Sequence, residues 1–125
     1  MPNKPGFKVS ARKNFVHLEV WGPLEARTLD APANAAIALA EQEGLDKLLD
    51  DIRNIDPGAV PVRIQAKGMS ILWSLRKFRK VAIVFQGEEI GWLFLSSLQA
   101  IHLNLSSKFR GFDDIDKATA WLEQK

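Results

Sequence analysis

The sequence predicts a single open-sheet α/β domain, and three observations carry that reading. Alternating apolar runs give way to three- and four-residue helical spacing, and the switch recurs along the chain. The first two alternating runs are separated only by a polar turn. One later run, Val81-Ala82-Ile83-Val84-Phe85, is apolar throughout. Strands alternating with helices imply parallel pairing through crossovers, an opening hairpin implies an antiparallel edge, and a continuously apolar strand implies burial on both faces. The predicted order is ββαβαβαβα: one mixed, mostly parallel sheet with about four helices over residues 7–125, after a polar lead-in at 1–6.

The hairpin comes first. Phe7 to Ala11 alternates, Arg12-Lys13-Asn14 turns, and Phe15 to Trp21 alternates again. Val16, Leu18 and Val20 take one face; Phe15, His17, Glu19 and Trp21 take the other. Gly22-Pro23 ends the pair. From Leu24 to Glu43 the period is helical, with Leu29, Ala33, Ala36, Ile37 and Ala40 on one stripe. So many alanines predict close approach to the sheet. Pro32 belongs in a first turn or at a kink, Asp30 is the expected N-cap of the main segment, and Gly44 the stop.

Lys47 to Ile52 reads as a short strand ending in acidic residues, and Asn54 to Gly58 as a loop. A second helix is predicted from Pro61 to Phe78, with Ile64, Gly68, Ile71, Leu72 and Leu75 inward and Arg63, Lys67, Ser74 and Lys77 opposite. After the apolar strand at 81–85, Gln86-Gly87 turns into a third helix over 88–103. Lys108 to Phe112 is the last strand. Asp113 or Asp114 then caps a closing helix that reaches Glu123, with Ile115, Ala118 and Leu122 inward.

Composition narrows function by exclusion. The 125 residues are 46% hydrophobic and 26% charged, an ordinary globular balance, and their net charge is only +2. With no cysteine there is no disulfide scaffold, thiol nucleophile or Cys-ligated zinc. The polar, Pro-rich start has no apolar region behind it that would make a signal peptide. Ile90 to Leu105, the most apolar stretch, is interrupted by polar residues and falls short of the ~20 residues that span a bilayer. A cytoplasmic location is expected.

Few residues have the pattern that chemistry requires. His17 and Glu19 share a strand face and would serve as a base and its orienter, or simply as a polar pair on a half-exposed sheet. His102 follows an apolar helix face, and two isolated histidines give no recognisable metal spacing. Asp50, Asp51 and Asp56 lie toward the end of a strand, where open sheets bind ligands. Adjacent strand residues point to opposite faces, so Asp50 and Asp51 are not a simple carboxylate pair. No glycine-rich phosphate loop and no Gly-x-Ser-x-Gly elbow occurs. The expectation is a non-enzyme with no cofactor.

Three local patterns carry a resemblance. Gly22-Pro23-Leu24 precedes a helix bearing Pro32; Phe78-Arg79-Lys80 leads into the apolar strand; and Phe112-Asp113-Asp114 opens a segment that closes on Ala118-Thr119-Ala120-Trp121-Leu122. Together with the element order, these resemble the SpoIIAA-like family of STAS/SEC14-type proteins over nearly the whole chain. The resemblance implies a fold more firmly than an activity. It implies kinship to anti-sigma-factor antagonists, which switch by phosphorylation of a serine where the helix after the third strand begins. The matching stretch here, Ile52-Arg53-Asn54-Ile55-Asp56-Pro57-Gly58, has no serine or threonine, and Ser70 lies too far on.

Two clusters remain as interaction candidates. Arg76, Lys77, Arg79 and Lys80 form a basic run that would contact an anion, or simply offset the dipole where a helix ends. Nucleic acid is not expected, because the run does not build a broad basic face. Trp73, Trp92, Phe94, Leu95 and Leu98 fall beside the main apolar stripes of the second and third predicted helices. They are extra core, a homodimer face, or the lining of an apolar ligand cleft. The SEC14 side of the resemblance implies a lipid-like ligand for such a cleft. An interaction domain, expected as a homodimer, is the leading reading; a small carrier or sensor is the alternative.

Overall fold

Arg12-Lys13-Asn14 does close a hairpin: the Arg12 N–H donates to the Phe15 carbonyl at 2.8 Å, and strands β1 (Gly6–Ala11) and β2 (Val16–Gly22) pair antiparallel. In the computed structural model, residues 6–22, 30–55, 74–86 and 108–124 are described. They form five strands and two helices, with α1 (Asp30–Glu43) following β2 and α2 (Ile115–Glu123) closing the described chain. Between them run β3 (Lys47–Ile55), a 3-10 turn (Leu75–Lys77), β4 (Lys80–Val84) and β5 (Phe109–Phe112).

The sheet order is β1-β2-β3-β4-β5, parallel except at the β1 edge, as the opening hairpin implied. Its register sets in line Val16, Leu48, Val81 and Phe109, all buried on the α1 side of the sheet in one cluster with Ala33, Ala36 and Ala40. On the opposite face Phe15, Leu49, Ala82 and Val84 pack against Ala118 and Leu122 of α2. Val81 through Val84 therefore have core on both sides, and none is more than 2% exposed. The helices divide the sheet: α1 lies on β1 and β2, α2 on β3, β4 and β5.

Helix ends follow local chemistry. Pro32 is buried in the first turn of α1, where its missing N–H costs nothing. Gly44 takes φ +67°, and the Leu45 N–H returns to the Ala40 carbonyl at 2.9 Å, the six-to-one bond of a Schellman end. Asp114 caps α2 by accepting from the N–H groups of Asp116 and Lys117 at 2.7 and 3.1 Å.

Several boundaries differ from the sequence reading. β3 runs to Ile55, so Asn54 and Ile55 are strand, not loop. They continue the ladder beside β2, where Trp21 pairs with Asn54 and Gly22 with Ile55 after a register shift. The predicted helix ending at Phe78 finishes instead as the 3-10 turn, and Phe78 is already extended at φ −75°, ψ 145°. Most of that helix, and all of the third predicted helix over 88–103, lie outside the described residues, so the four-helix order is not established.

Candidate functional site

Two groups of polar residues emerge from this register. The first is built across β2 and β3 on the α2 face. Strand alternation puts His17 and Glu19 on that face, and likewise Asp51 and Arg53. Parallel pairing of β2 with β3 then brings the two sets together, with Glu19 opposite Asp51. His17 Nε2 stands 3.5 Å from Asp51 Oδ2, and His17 Nδ1 is 3.9 Å from Glu19 Oε1. Arg12 Nη2 approaches His17 Nδ1 from the turn, at 3.4 Å. The Arg53 guanidinium grips Asp51 with two bonds, Nε to Oδ1 at 2.8 Å and Nη2 to Oδ2 at 2.7 Å.

Burial makes this pairing decisive. Only 3% of the Asp51 side chain is exposed, and burial by itself would raise its pKa. The Arg53 side chain, His17 and the Arg53 N–H outweigh burial and hold the carboxyl well below the usual carboxylate range. Asp50 is the opposite case. It points to the α1 side, level with Leu18 and Ile83, and its Oδ1 is buried with no hydrogen-bond partner. Burial, reinforced by the neighbouring Asp51 charge and partly offset by His17, pushes Asp50 from 3.8 up to about 7. Two adjacent carboxyls on opposite faces thus have opposite proton affinities.

The predicted His17–Glu19 pair is on one face as expected, yet Asp51 on the next strand is the closer carboxylate. Its link to Arg53 was obscured by ending the strand at Ile52, since a loop gives no face to share. Two residues apart on one strand was the signal available. His17 is buried between Arg12, Glu19 and Asp51, and its Nε2 makes no hydrogen bond among the described residues. Among the described residues no group of three or more His, Cys, Asp or Glu side chains is placed to hold a metal.

The second group is the basic run at the opposite end of the strands. It splits by partner. Lys80, first in β4, reaches 41 positions along the chain to the end of α2. Its Nζ donates to the Trp121 carbonyl at 3.0 Å and the Gln124 carbonyl at 2.8 Å, and lies 5.0 Å from the Trp121 ring centroid. Burial, then the Lys47 and Arg79 charges, lower its pKa. Arg79 meets Asp46 at 3.2 Å, while Arg76 and Lys77 are exposed. Within the run it is Lys80 that offsets a helix C-terminus, that of α2. Lys80→Met is expected to lower stability by about 1–2 kcal/mol in urea denaturation, by freeing the Trp121 and Gln124 carbonyls at the end of α2 and removing the cation from the Trp121 ring.

Trp73, Trp92, Phe94, Leu95 and Leu98 lie outside the described residues, as do Asp56, Ser70 and His102. Trp121 and Phe112, from the closing signature, are brought together with ring centroids 5.8 Å apart.

The overall fold recurs in solved structures. An uncharacterised DUF3478-family protein with a SpoIIAA-like fold from Shewanella loihica PV-4 superposes at TM-score 0.64, with 20% identity over 96% of each chain. The fold is SpoIIAA-like. An anti-sigma factor antagonist from Mycobacterium paratuberculosis superposes at TM-score 0.68, with 15% identity over 99% of this chain and 98% of its own. No protein-family model and no curated protein matches the chain in sequence. No helix among the described residues is long and apolar enough to cross a membrane.

Proposed function

We propose that this chain is a STAS-type regulatory domain that acts by binding another protein, not by catalysis, and without a serine phospho-switch. Its likeness to an anti-sigma factor antagonist along almost the entire length of both chains carries the reading. Two residues weighed for catalysis are engaged in ways that support it. Asp51 is held by the Arg53 fork, and His17 Nδ1 faces the Arg12 guanidinium. The stretch from Ile52 to Gly58 supplies no hydroxyl to phosphorylate, so control would come from partner availability. Self-association through the aromatic-rich third predicted helix belongs to the same reading.

Tagged chain recovered from its source organism under mild crosslinking, then weighed by native mass spectrometry, tests this. A stoichiometric complex with a protein, whether a second copy or a different chain, is the expected result. A monomer carrying a lipid-sized adduct and no protein would sink the reading in favour of a carrier.

A further inference from the structure

The two edges of the sheet are finished differently. β5, on one side, has four residues with Arg110 among them, a short and charged edge that resists further pairing. β1, on the other, runs for six residues from Gly6 to Ala11, with Lys8 as its only charge and no proline. Its pairing with β2 is continuous, without the bulge that would twist an edge away. Among the described residues no strand lies beyond it. Natural sheets seldom leave an edge of this kind open to water.

The ladder decides which groups that edge presents. The Arg12 N–H bonds the Phe15 carbonyl across the hairpin at 2.8 Å, and antiparallel pairs alternate between bonded and non-bonded. Ser10, Lys8 and Gly6 therefore exchange bonds with His17, Glu19 and Trp21. Phe7, Val9 and Ala11 turn their N–H and carbonyl groups outward, away from β2. The side chains of these three lie on the α1 side of the sheet, in line with Val20, Leu18 and Val16. Phe7 is 37% exposed, the one exposed large hydrophobic among the described residues, and Ala11 is exposed beside the turn. Unpaired backbone and uncovered apolar surface thus fall on the same residues.

We propose that β1 pairs antiparallel with β1 of a second copy about a dyad at Val9, joining two sheets into one. This rests on the protein-binding reading above and gives it a self-association surface separate from the third predicted helix. The strand is self-complementary in one register. With Val9 opposite Val9, Phe7 meets Ala11, large against small, and every outward N–H of each copy meets a carbonyl. On the other face Lys8 meets Ser10, and Arg12 meets Gly6, which has no side chain. Sliding the strands one step in one direction sets Lys8 against Lys8, and in the other sets Lys8 against Arg12. Both slides oppose like charges and leave outward groups unbonded. An unrelated strand would fill the same backbone bonds; the match of Phe7 to Ala11 and of Lys8 to Ser10 selects a second copy. α1 lies on β1 and β2, so the helices of the two copies flank the dyad. With strands roughly 4.8 Å apart their axes stand about 10 Å apart, an ordinary distance for packed helices.

Sedimentation velocity of the purified chain over a wide range of concentration is the test. A concentration-dependent dimer is expected. Val9→Pro removes an outward N–H and none of the bonds to β2, the position where an edge strand tolerates proline; it should leave a monomer, with circular dichroism confirming the fold. Two milder variants read the register itself. Ser10→Lys opposes lysines at both Lys8 contacts and should weaken the dimer about fivefold at low salt. Ser10→Glu places opposite charges there and should tighten it by a similar factor. A chain that is monomeric at every concentration overturns the proposal. So does a dimer on which the two Ser10 variants act alike or not at all, and they decide the matter if Val9→Pro does not fold. A dimer that survives in folded Val9→Pro is built elsewhere; it overturns the edge pairing and leaves the regulatory reading standing, as does a monomer recovered with a different protein. Recovery of no protein complex at all from the organism is the result that fells the regulatory reading itself.

Discussion

Arg53→Met is expected to destabilise the protein by about 2–3 kcal/mol at neutral pH, read as a lower urea midpoint with an unchanged denaturant slope. The methionine keeps the aliphatic stem and removes the fork. Asp51 is then left 97% buried without the two bonds of 2.8 and 2.7 Å that hold its charge. Removing one member of a buried pair is expensive because the survivor is an uncompensated charge, although the partly exposed Arg53 lets some water reach the gap. The second change Asp51→Asn should therefore recover much of the loss. The pH dependence has a definite sign. A carboxyl depressed in the folded state contributes stability that is present above its ordinary value of 3.8 and is lost as pH falls further. The difference between parent and Arg53→Met should thus be full at pH 7 and shrink below about pH 4. A loss under about 0.5 kcal/mol at pH 7 would show that water, not Arg53, solvates Asp51.

Asp50→Asn should act in the opposite direction, stabilising the protein by about 2–3 kcal/mol at pH 8. Asp50 has a folded value of about 7 against 3.8 for an ordinary aspartate. Between those values the folded state binds more protons than the unfolded chain, so this residue makes stability fall as pH rises from about 4 to 7, then level off. Asparagine stays neutral throughout and removes that decline. Urea midpoints for parent and variant at pH 4.5, 6 and 8 give the comparison. The curves should nearly coincide at the lowest pH and separate by the highest. A pH-independent difference would assign the effect to packing instead of ionisation.

Much of the frame was legible in local pattern. The hairpin, the continuously buried fourth strand, the Gly44 stop and a cap at Asp113 or Asp114 each depend on residues within a few positions of one another. Periodicity also assigned faces correctly, putting His17 with Glu19 and separating Asp50 from Asp51. It failed where an end had to be judged. Asn54 and Ile55 have the composition of a loop, but pairing with Trp21 and Gly22 across the sheet draws them into β3. That misplacement hid the Asp51–Arg53 pair, because residues two apart share a face only while the strand continues.

Other features had no local signal. Lys80 bonds a carbonyl near the end of α2, 41 positions away, and Lys47 faces Lys80 from 33 positions earlier in the chain. By itself the sequence determined an α/β domain with an antiparallel edge, a core-facing set of side chains, and a likeness to SpoIIAA-type proteins. Only the tertiary structure decided which polar residues meet: His17 with Asp51, Asp50 against the α1-side core, and Lys47 opposite Lys80. The reason is physical. Face and period follow from backbone geometry over a few residues, whereas register is set by how whole strands share one core, and it is register that brings distant side chains together.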